Sequence, residues 1–418
     1  MNEQWMATPV NQRDRRSALT ILTIINFLNY IDRYVVASVF EPIKRELHFS
    51  DGELGWVLSA FMIAYAITSP AFGRLGDLFT RKYLIAAGVG VWSFATAGAG
   101  LARSFWQMFM PRALVGVGEA SYATLAPAMI ADYYEPERRG RALAIFYAAI
   151  PAGSALGFVL GGQLAHHFGW RMAFCVVGLP GLLFALLALT MREPERGASE
   201  MAPVSERLAP PTVLATYRML WANATYVCVT GGFVAYTFAL GGLVGWAPAF
   251  LERYDGMTTV RANDIFGALT VASGIAGTLA GGFLGDYLLR YTKHAYLWLS
   301  GLCMIAGAPV TVLALASREA TIFLPAIFLA EFFLFLNTGP LNAVLVGCVA
   351  AEIRATAMAV NILCIHALGD ALSPPVIGVL SDHFGLFRAT MIAPAMMLAS
   401  GGILLYAIRL QPPPRHET

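Results

Sequence analysis

Seven ionisable residues stand inside long apolar runs of this 418-residue chain: Asp32, Arg33, Arg112, Glu119, Glu331, His366 and Asp370. An ionisable group at the depth of a hydrocarbon layer costs at least ~2.5 kcal/mol, so each is a functional candidate. Asn26, Asn29 and Arg33 recur at i, i+3 and i+7 and share one helix face. Asp32 lies about 100° round from Arg33, so these neighbours cannot pair with each other. Each needs a partner on another helix or in a wet cavity. Arg112, Gly116 and Glu119 share a second face. Arg112 and Glu119 are separated by about 10 Å along the axis, too far for a simple contact but close enough to serve one cavity. Such a set can couple proton movement to a conformational equilibrium, because protonating a carboxylate frees or re-pairs an arginine. The expectation is that Asp32 and Glu119 carry the proton and that Arg33 is the switched partner. A permanent salt bridge between the first and fourth spans is the alternative.

Other polar residues fill out a substrate cavity: Asn29, Tyr30, Arg112, Glu331, Asn337, His366 and Asp370. Arg112 suits an anionic headgroup. Glu331 shares its face with Phe335, Thr338 and Asn342. It stays open between a headgroup ligand, a second proton site and a buried polar contact. His366 and Asp370 are one turn apart, as a proton relay or as a structural pair.

The elements that must position these residues are membrane helices. Hydrophobic residues make up 57% of the chain and charged residues 13%, and the mean hydropathy is +0.62. That balance excludes a soluble enzyme, a nucleic-acid binder and a secreted disulfide scaffold. The five cysteines lie in apolar runs without a CxxC pair, so no metal site or cofactor is expected. No nucleophile–base set occurs, and no phosphate-binding GxxxxGK[ST] loop. An enzyme and an ATP-driven pump are therefore not expected. A channel would need a continuous polar lining, whereas these charges gather near one depth. The first 16 residues are polar, include Arg13, Arg15 and Arg16, and precede an apolar run too long for a signal peptide.

Apolar runs predict an all-α membrane protein with twelve spans, at 17–40, 53–72, 83–102, 105–133, 141–166, 171–191, 221–251, 264–288, 295–315, 321–350, 356–381 and 387–408. The implied organisation is a cytoplasmic segment (1–16), a six-helix bundle (17–191), a linker rich in proline (192–220), a second six-helix bundle (221–408) and a cytoplasmic tail (409–418). With both termini in the cytoplasm, 18 Lys and Arg fall on the inner side and eight outside, which the positive-inside rule favours. Glycine and proline gather in span 5 (Pro151, Gly153, Gly157), in span 11 (Gly369, Pro374, Pro375, Gly378) and at Gly339-Pro340 of span 10. Trp246 and Pro248 are expected to interrupt the end of span 7.

The two halves repeat. Gly76-Asp77 matches Gly285-Asp286, Glu119 matches Glu331, Arg139 through Ala144 matches Arg354 through Ala359, and His167-Phe168-Gly169 matches His383-Phe384-Gly385, at offsets of 209, 212, 215 and 216. Four matches in order with slowly drifting offset indicate duplication, the plan of a transporter that alternates access to a central site.

The run Gly73-Arg74-Leu75-Gly76-Asp77-Leu78-Phe79-Thr80-Arg81-Lys82 resembles the major facilitator superfamily's signature between helices 2 and 3. The resemblance implies a conformational latch at Gly73, Arg74, Gly76, Asp77, Arg81 and Lys82, with a degenerate copy at Gly285 and Asp286. More narrowly the chain resembles the Spinster family of lipid transporters. The residues that carry this are Asn29-Tyr30-Ile31-Asp32-Arg33, Arg112 through Ser121, Glu331 through Asn337, His366 through Asp370, Ser373-Pro374 and Ser381-Asp382. The resemblance implies a proton-coupled secondary transporter of a lysophospholipid or sphingoid type of molecule. An exchanger of a water-soluble organic anion or drug on the same fold is the alternative. The expected partners are the lipid bilayer, a small amphipathic substrate and protons, with no nucleic acid, in a monomer. The expected location is the cytoplasmic (inner) membrane if the chain is bacterial.

Overall fold

The computed structural model describes residues 11–194, 213–349 and 353–410. Those residues are helical, with no strand among them. The helices are α1 (Gln12–Ser38), α2 (Phe40–Leu47), α3 (Asp51–Leu78), α4 (Arg81–Ala99), α5 (Phe105–Tyr133), α6 (Pro136–Phe168), α7 (Trp170–Leu189), α8 (Val213–Ala222), α9 (Ala224–Tyr254), α10 (Thr259–Leu288), α11 (Ala295–Ala316), α12 (Ala320–Phe335), α13 (Thr338–Gly347), α14 (Arg354–Ile365), α15 (Ser373–Phe384), α16 (Leu386–Thr390) and α17 (Ile392–Leu410). Eleven helical stretches among the described residues are long and apolar enough to cross a bilayer. They correspond to eleven of the twelve expected spans. The other, at 83–102, is the helix α4, whose apolarity is lowered by Arg81 and Lys82 in its first turn. Helices start earlier than hydropathy alone indicates, because polar residues cap them. Asn11 and Asp14 form a reciprocal capping box at α1.

The chain divides into two compact units. One takes α1, α2, α3 from Ala60 onward, α4 to α7, and Thr259–Gly267 of α10. The other takes Phe49–Ser59, α8, α9 and the described chain from Ala268 onward. In the first unit α4 packs on α5 and α7, and α1 on α6. In the second, α11 packs on α12 and α17, the repeat counterparts of α5 and α7. The backbone repeats as well. Gly169 (φ 82, ψ 154) and Gly385 (φ 81, ψ 151) both follow a His-Phe pair and take the same left-handed conformation. Only glycine adopts it without strain.

The first unit's core joins Leu22, Phe61, Val89, Trp92, Val115, Tyr122, Met129 and Phe146. The second unit's joins Tyr226, Phe233, Met304, Leu334, Leu341, Met397 and Leu404. Large apolar side chains such as Ile67, Phe94, Leu186 and Phe283 are exposed. A water-soluble surface does not carry so many, whereas a lipid-facing one does.

Small residues set the spacing. Gly116 of α5 lies so close to α3 that a Cβ there would strike the Phe61 carbonyl oxygen, and a Cβ on Gly153 or Gly157 of α6 would lie 2.7 Å from the carbonyl oxygen of Phe27 or Ile31. Span 10 breaks at Leu336-Asn337, with Gly339-Pro340 in the first turn of α13. Span 11 widens into a π-helical turn at His366–Asp370 before α15 restarts with Pro374 in its first turn. Pro248 does not interrupt span 7: α9 runs on to Tyr254. One missing backbone hydrogen bond is tolerated where packing holds the helix, and the Trp246 indole nitrogen donates to the Pro374 carbonyl at 3.1 Å.

Candidate functional site

Two ion pairs cross between α1 and α5. Arg112 Nη1 reaches Asp32 Oδ1 at 3.3 Å, and Arg33 Nη2 reaches Glu119 Oε2 at 2.9 Å. The 100° between Asp32 and Arg33 and the two turns between Arg112 and Glu119 lead to this result. Each α1 residue takes a different partner on α5. Thr96 of α4 adds its hydroxyl to Asp32 Oδ2. Asp32, Thr96, Arg112 and Glu119 are buried, whereas the Arg33 side chain is 15% exposed.

Arg33 has a second environment. Its guanidinium carbon stands 4.8 Å from the ring centre of Tyr30, 4.7 Å from Phe61 and 5.8 Å from Tyr65. Aromatic faces stabilise a cation by about 0.5–2 kcal/mol each, more when desolvated. Glu119 Oε1, Arg33 Nε, Arg112 Nε and Nη2, and Asn29 Nδ2 are buried without a hydrogen-bond partner. Arg112 and Asn29, both expected in the substrate cavity, are thus deeply buried beside Arg33 and Glu119, with Tyr30 against Arg33. The neighbouring Asn26 donates to the Phe146 carbonyl at 2.9 Å.

Thr96, Phe61 and Tyr65 were not anticipated from sequence. Thr96 is a neutral residue in an apolar run, and Phe61 and Tyr65 look like ordinary packing. The one available signal was that Phe61 and Tyr65 lie one turn apart and so share a helix face.

The second unit holds the remaining cavity candidates. Glu331 of α12 accepts from Thr270 Oγ1 at 2.8 Å and Ser273 Oγ at 2.9 Å, both on α10, and forms no salt bridge among the described residues. Asn337, fully buried at the break in span 10, donates to the Phe333 carbonyl at 2.7 Å and leaves its own oxygen unpartnered. His366 Nδ1 and Asp370 Oδ2 are 2.9 Å apart within the π-helical turn. That turn is seated by Thr237, whose hydroxyl lies where a Cβ on Gly369 would be.

Arg81 and Lys82, two of the residues expected to act as a latch, stand at a capped helix start. Glu193 accepts from the backbone N–H groups of Arg81 (2.9 Å) and Lys82 (3.0 Å), at the positive end of α4, and from Arg81 Nε (3.0 Å). Arg81 Nη1 also pairs with Asp132 at 2.6 Å, and Lys82 donates to the Met191 carbonyl at 3.0 Å. Gly76 faces Leu125, and a Cβ on Gly73 would lie 3.8 Å from the Thr124 side chain. Arg74 is exposed in the last turns of α3, and the side chain of Asp77 lies outside the described residues. In the copy, Asp286 accepts from Tyr296 at 2.7 Å, while Gly285 packs on the same ring.

A further polar cluster surrounds the first turn of α3. Arg253 holds the Asp51 carboxylate with two bonds of 2.6 and 2.8 Å, and Ser381 donates to it. The Asp382 carboxylate accepts from the N–H groups of Asp51 and Gly52, each at 2.8 Å. Sequence placed Ser381 and Asp382 only within a family pattern.

Two repeated units of membrane helices, with crossed ion pairs in the first, have the plan of a transporter that alternates access. A family model described as Major Facilitator Superfamily matches residues 22–374, and the chain belongs to that superfamily. Within it the chain is of the Spinster type. It is 37% identical over 383 residues to Protein spinster homolog 1 of Mus musculus, covering 87% of this chain and 72% of that one. The Homo sapiens homolog 1 is 37% identical over 388 residues, covering 88% and 74%. A crystal structure of a bacterial homolog to the human lysosomal transporter Spinster, in an inward-facing and unoccupied conformation, superposes with a TM-score of 0.83 at 26% identity over 96% of each chain.

Proposed function

We propose that this chain is a proton-coupled secondary transporter that works by alternating access and moves an amphipathic molecule of the lysophospholipid or sphingoid type. The observation that carries the coupling is the Arg33–Glu119 pair. Glu119 uses one oxygen on Arg33 and keeps the other bare. Arg33 has a ring cage to hold its charge when the carboxylate is neutralised. Protonation at Glu119 then changes the energy of one conformer relative to the other, which is all that coupling requires. Both termini lie in the cytoplasm on this reading, as the distribution of Lys and Arg favours. The lipid-like cargo follows from the Spinster resemblance, and the latch at Gly73 through Lys82 with Gly285 and Asp286 keeps the role its superfamily pattern implies.

The test is transport in proteoliposomes with a lysophospholipid, a sphingoid base and an organic acid as separate probes. Glu119→Gln loses accumulation driven by a pH gradient and retains counterflow exchange. An unchanged pH dependence in that variant refutes the coupling. Saturable transport of the acid without the lipids moves the cargo to the organic-anion class.

A further inference from the structure

The stretch expected as linker up to residue 220 ends in a helix. α8 precedes the membrane-spanning α9, and its two faces differ. Thr216 and Leu220, one turn apart, are buried, and Leu220 joins the core of the second unit with Tyr226 and Ala407. Leu214, Tyr217 and Trp221 recur at i, i+3 and i+7 on the other side and are exposed, Leu214 by 81% and Trp221 by 56%. Arg218 is exposed on the same side. α8 is separate from α9. Asn223 stands between them with ψ 98, and its side chain caps α9 by accepting from the Tyr226 N–H at 3.0 Å. Asn223 Nδ2 donates to the Cys348 carbonyl, just past α13, at 2.8 Å.

α17 gives the level of this junction. It runs antiparallel to α9: the ring of Tyr254 at the end of α9 is 6.1 Å from that of Phe387 in α16, and Ser400 of α17 donates to the Gly232 carbonyl at 2.8 Å. Arg409 follows Ser400 by as many residues as Asn223 precedes Gly232, about 14 Å along either axis. Arg409 is therefore level with the junction and Tyr406 lies about a turn deeper, and both are exposed. Exposed tyrosine, tryptophan and arginine at one level of a membrane bundle mark the boundary of headgroups and acyl chains, where the apolar body and the polar edge of each side chain both find their medium. In water the same face of α8 would be an apolar patch with nothing to cover it.

We propose that α8 is a membrane-surface helix docked on the leaflet at which α9 begins. Leu214, Tyr217 and Trp221 enter the boundary of headgroups and acyl chains, with the Arg218 guanidinium at the level of the phosphates. The occupant of this face is the lipid surface, and the inference depends neither on the cargo nor on the coupling reading. Thr216 and Leu220 hold α8 to the second unit, so the helix sets the depth of the α9 start against the lipid and, through Asn223, that of the α13 end.

Tryptophan quenching in lipid nanodiscs tests this. The bilayers carry phosphatidylcholine brominated either beside the headgroup or near the terminal methyl, and iodide is the quencher in water. The signal of Trp221 is the difference between the wild type and Trp221→Phe. Headgroup-end bromines quench that signal about twofold more than methyl-end bromines, and iodide leaves it nearly untouched, as for a ring about 5–10 Å inside the interface. Leu214→Trp adds a probe to the otherwise intact chain, and its increment over the wild type shows the same order of quenching, which decides the matter if Trp221→Phe does not fold. Iodide quenching stronger than bromolipid quenching puts the face in water and overturns the proposal. Resistance to all three quenchers puts it beneath another segment of the chain and overturns it equally. Stronger quenching by the methyl-end bromines makes α8 part of a spanning helix, which also overturns it.

Discussion

Replacing Arg253 by Met tests how much the cluster at the start of α3 contributes to stability. Asp51 is 3% exposed at its side chain and Arg253 20%, and the two are joined by bonds of 2.6 and 2.8 Å. Removing one member of a buried pair costs about 3–5 kcal/mol, because the other charge is left in a poor medium. Here the lower end applies, since Arg253 is partly solvated and Ser381 still donates to the stranded carboxylate. About 3 kcal/mol is therefore expected for Arg253→Met, which for a chain of this size lowers the unfolding temperature by roughly 3–4 °C. Removing both charges, with Asp51→Asn added, leaves no buried ion. The double variant is then less destabilised than the sum of the singles by about 2 kcal/mol, the coupling a double-mutant cycle reads.

The chain supplies its own reporter for that assay. Cys175, Cys228, Cys303, Cys348 and Cys364 are free and partly buried, so a thiol-reactive dye follows unfolding on heating. Strict additivity of the two substitutions, or a shift below about 1 °C for Arg253→Met, refutes the assignment of Asp51 as a buried charge dependent on Arg253.

Two further outcomes use the same assay. Gly116→Ala places a methyl against the Phe61 carbonyl and lowers stability by about 2 kcal/mol, whereas Gly90→Ala, with nothing within 4 Å, is neutral or stabilising by a few tenths; equal effects at the two sites would sink the close-approach argument. Asp255, just beyond α9, has its carboxyl raised above the ordinary value by burial, with Arg318 at 3.6 Å acting the other way. Such a group keeps its proton in the folded chain after the unfolded chain has released it, so its stabilisation is present in acid and fades as pH rises through the folded value. Asp255→Asn removes that slope and costs little at neutral pH, because Arg318 is about half exposed and keeps its place over Tyr254 at 4.8 Å. Wild-type stability that climbs relative to the variant from about pH 4 upward contradicts the sign.

Hydropathy located the membrane helices because twenty consecutive apolar residues have few other uses in a chain of this size. It could not locate their ends or their breaks. Ends depend on capping groups such as Asn11 and Glu193, which are polar and read as loop. The breaks at Asn337 and at His366–Asp370 depend on packing. Gly339-Pro340 marks span 10 as irregular, but a proline in the first turn of a helix starts it rather than bending it, so the discontinuity falls before the proline. The repeat was legible to the level of a dihedral angle, since a left-handed glycine after His-Phe in one half requires one at the same place in the other.

The crossed ion pairs show where such reading stops and why. Helix geometry says that Asp32 and Arg33 diverge and that Arg112 and Glu119 share a face, so the charges of α1 need partners on other helices or in a wet cavity. It does not say which acid meets which arginine, because that depends on the offset between α1 and α5 along their axes. Glycines fix that kind of offset: Gly116 brings α5 against the backbone of α3, and Gly118 brings it within 2.5 Å of the Gly88 carbonyl of α4 for an ideal Cβ. The same approach brings α4 close enough for Thr96 to reach Asp32. Charge at membrane depth is conspicuous in a sequence. The neutral groups that hydrogen-bond to those charges are not, and they become legible only once the small residues have set the distances between helices.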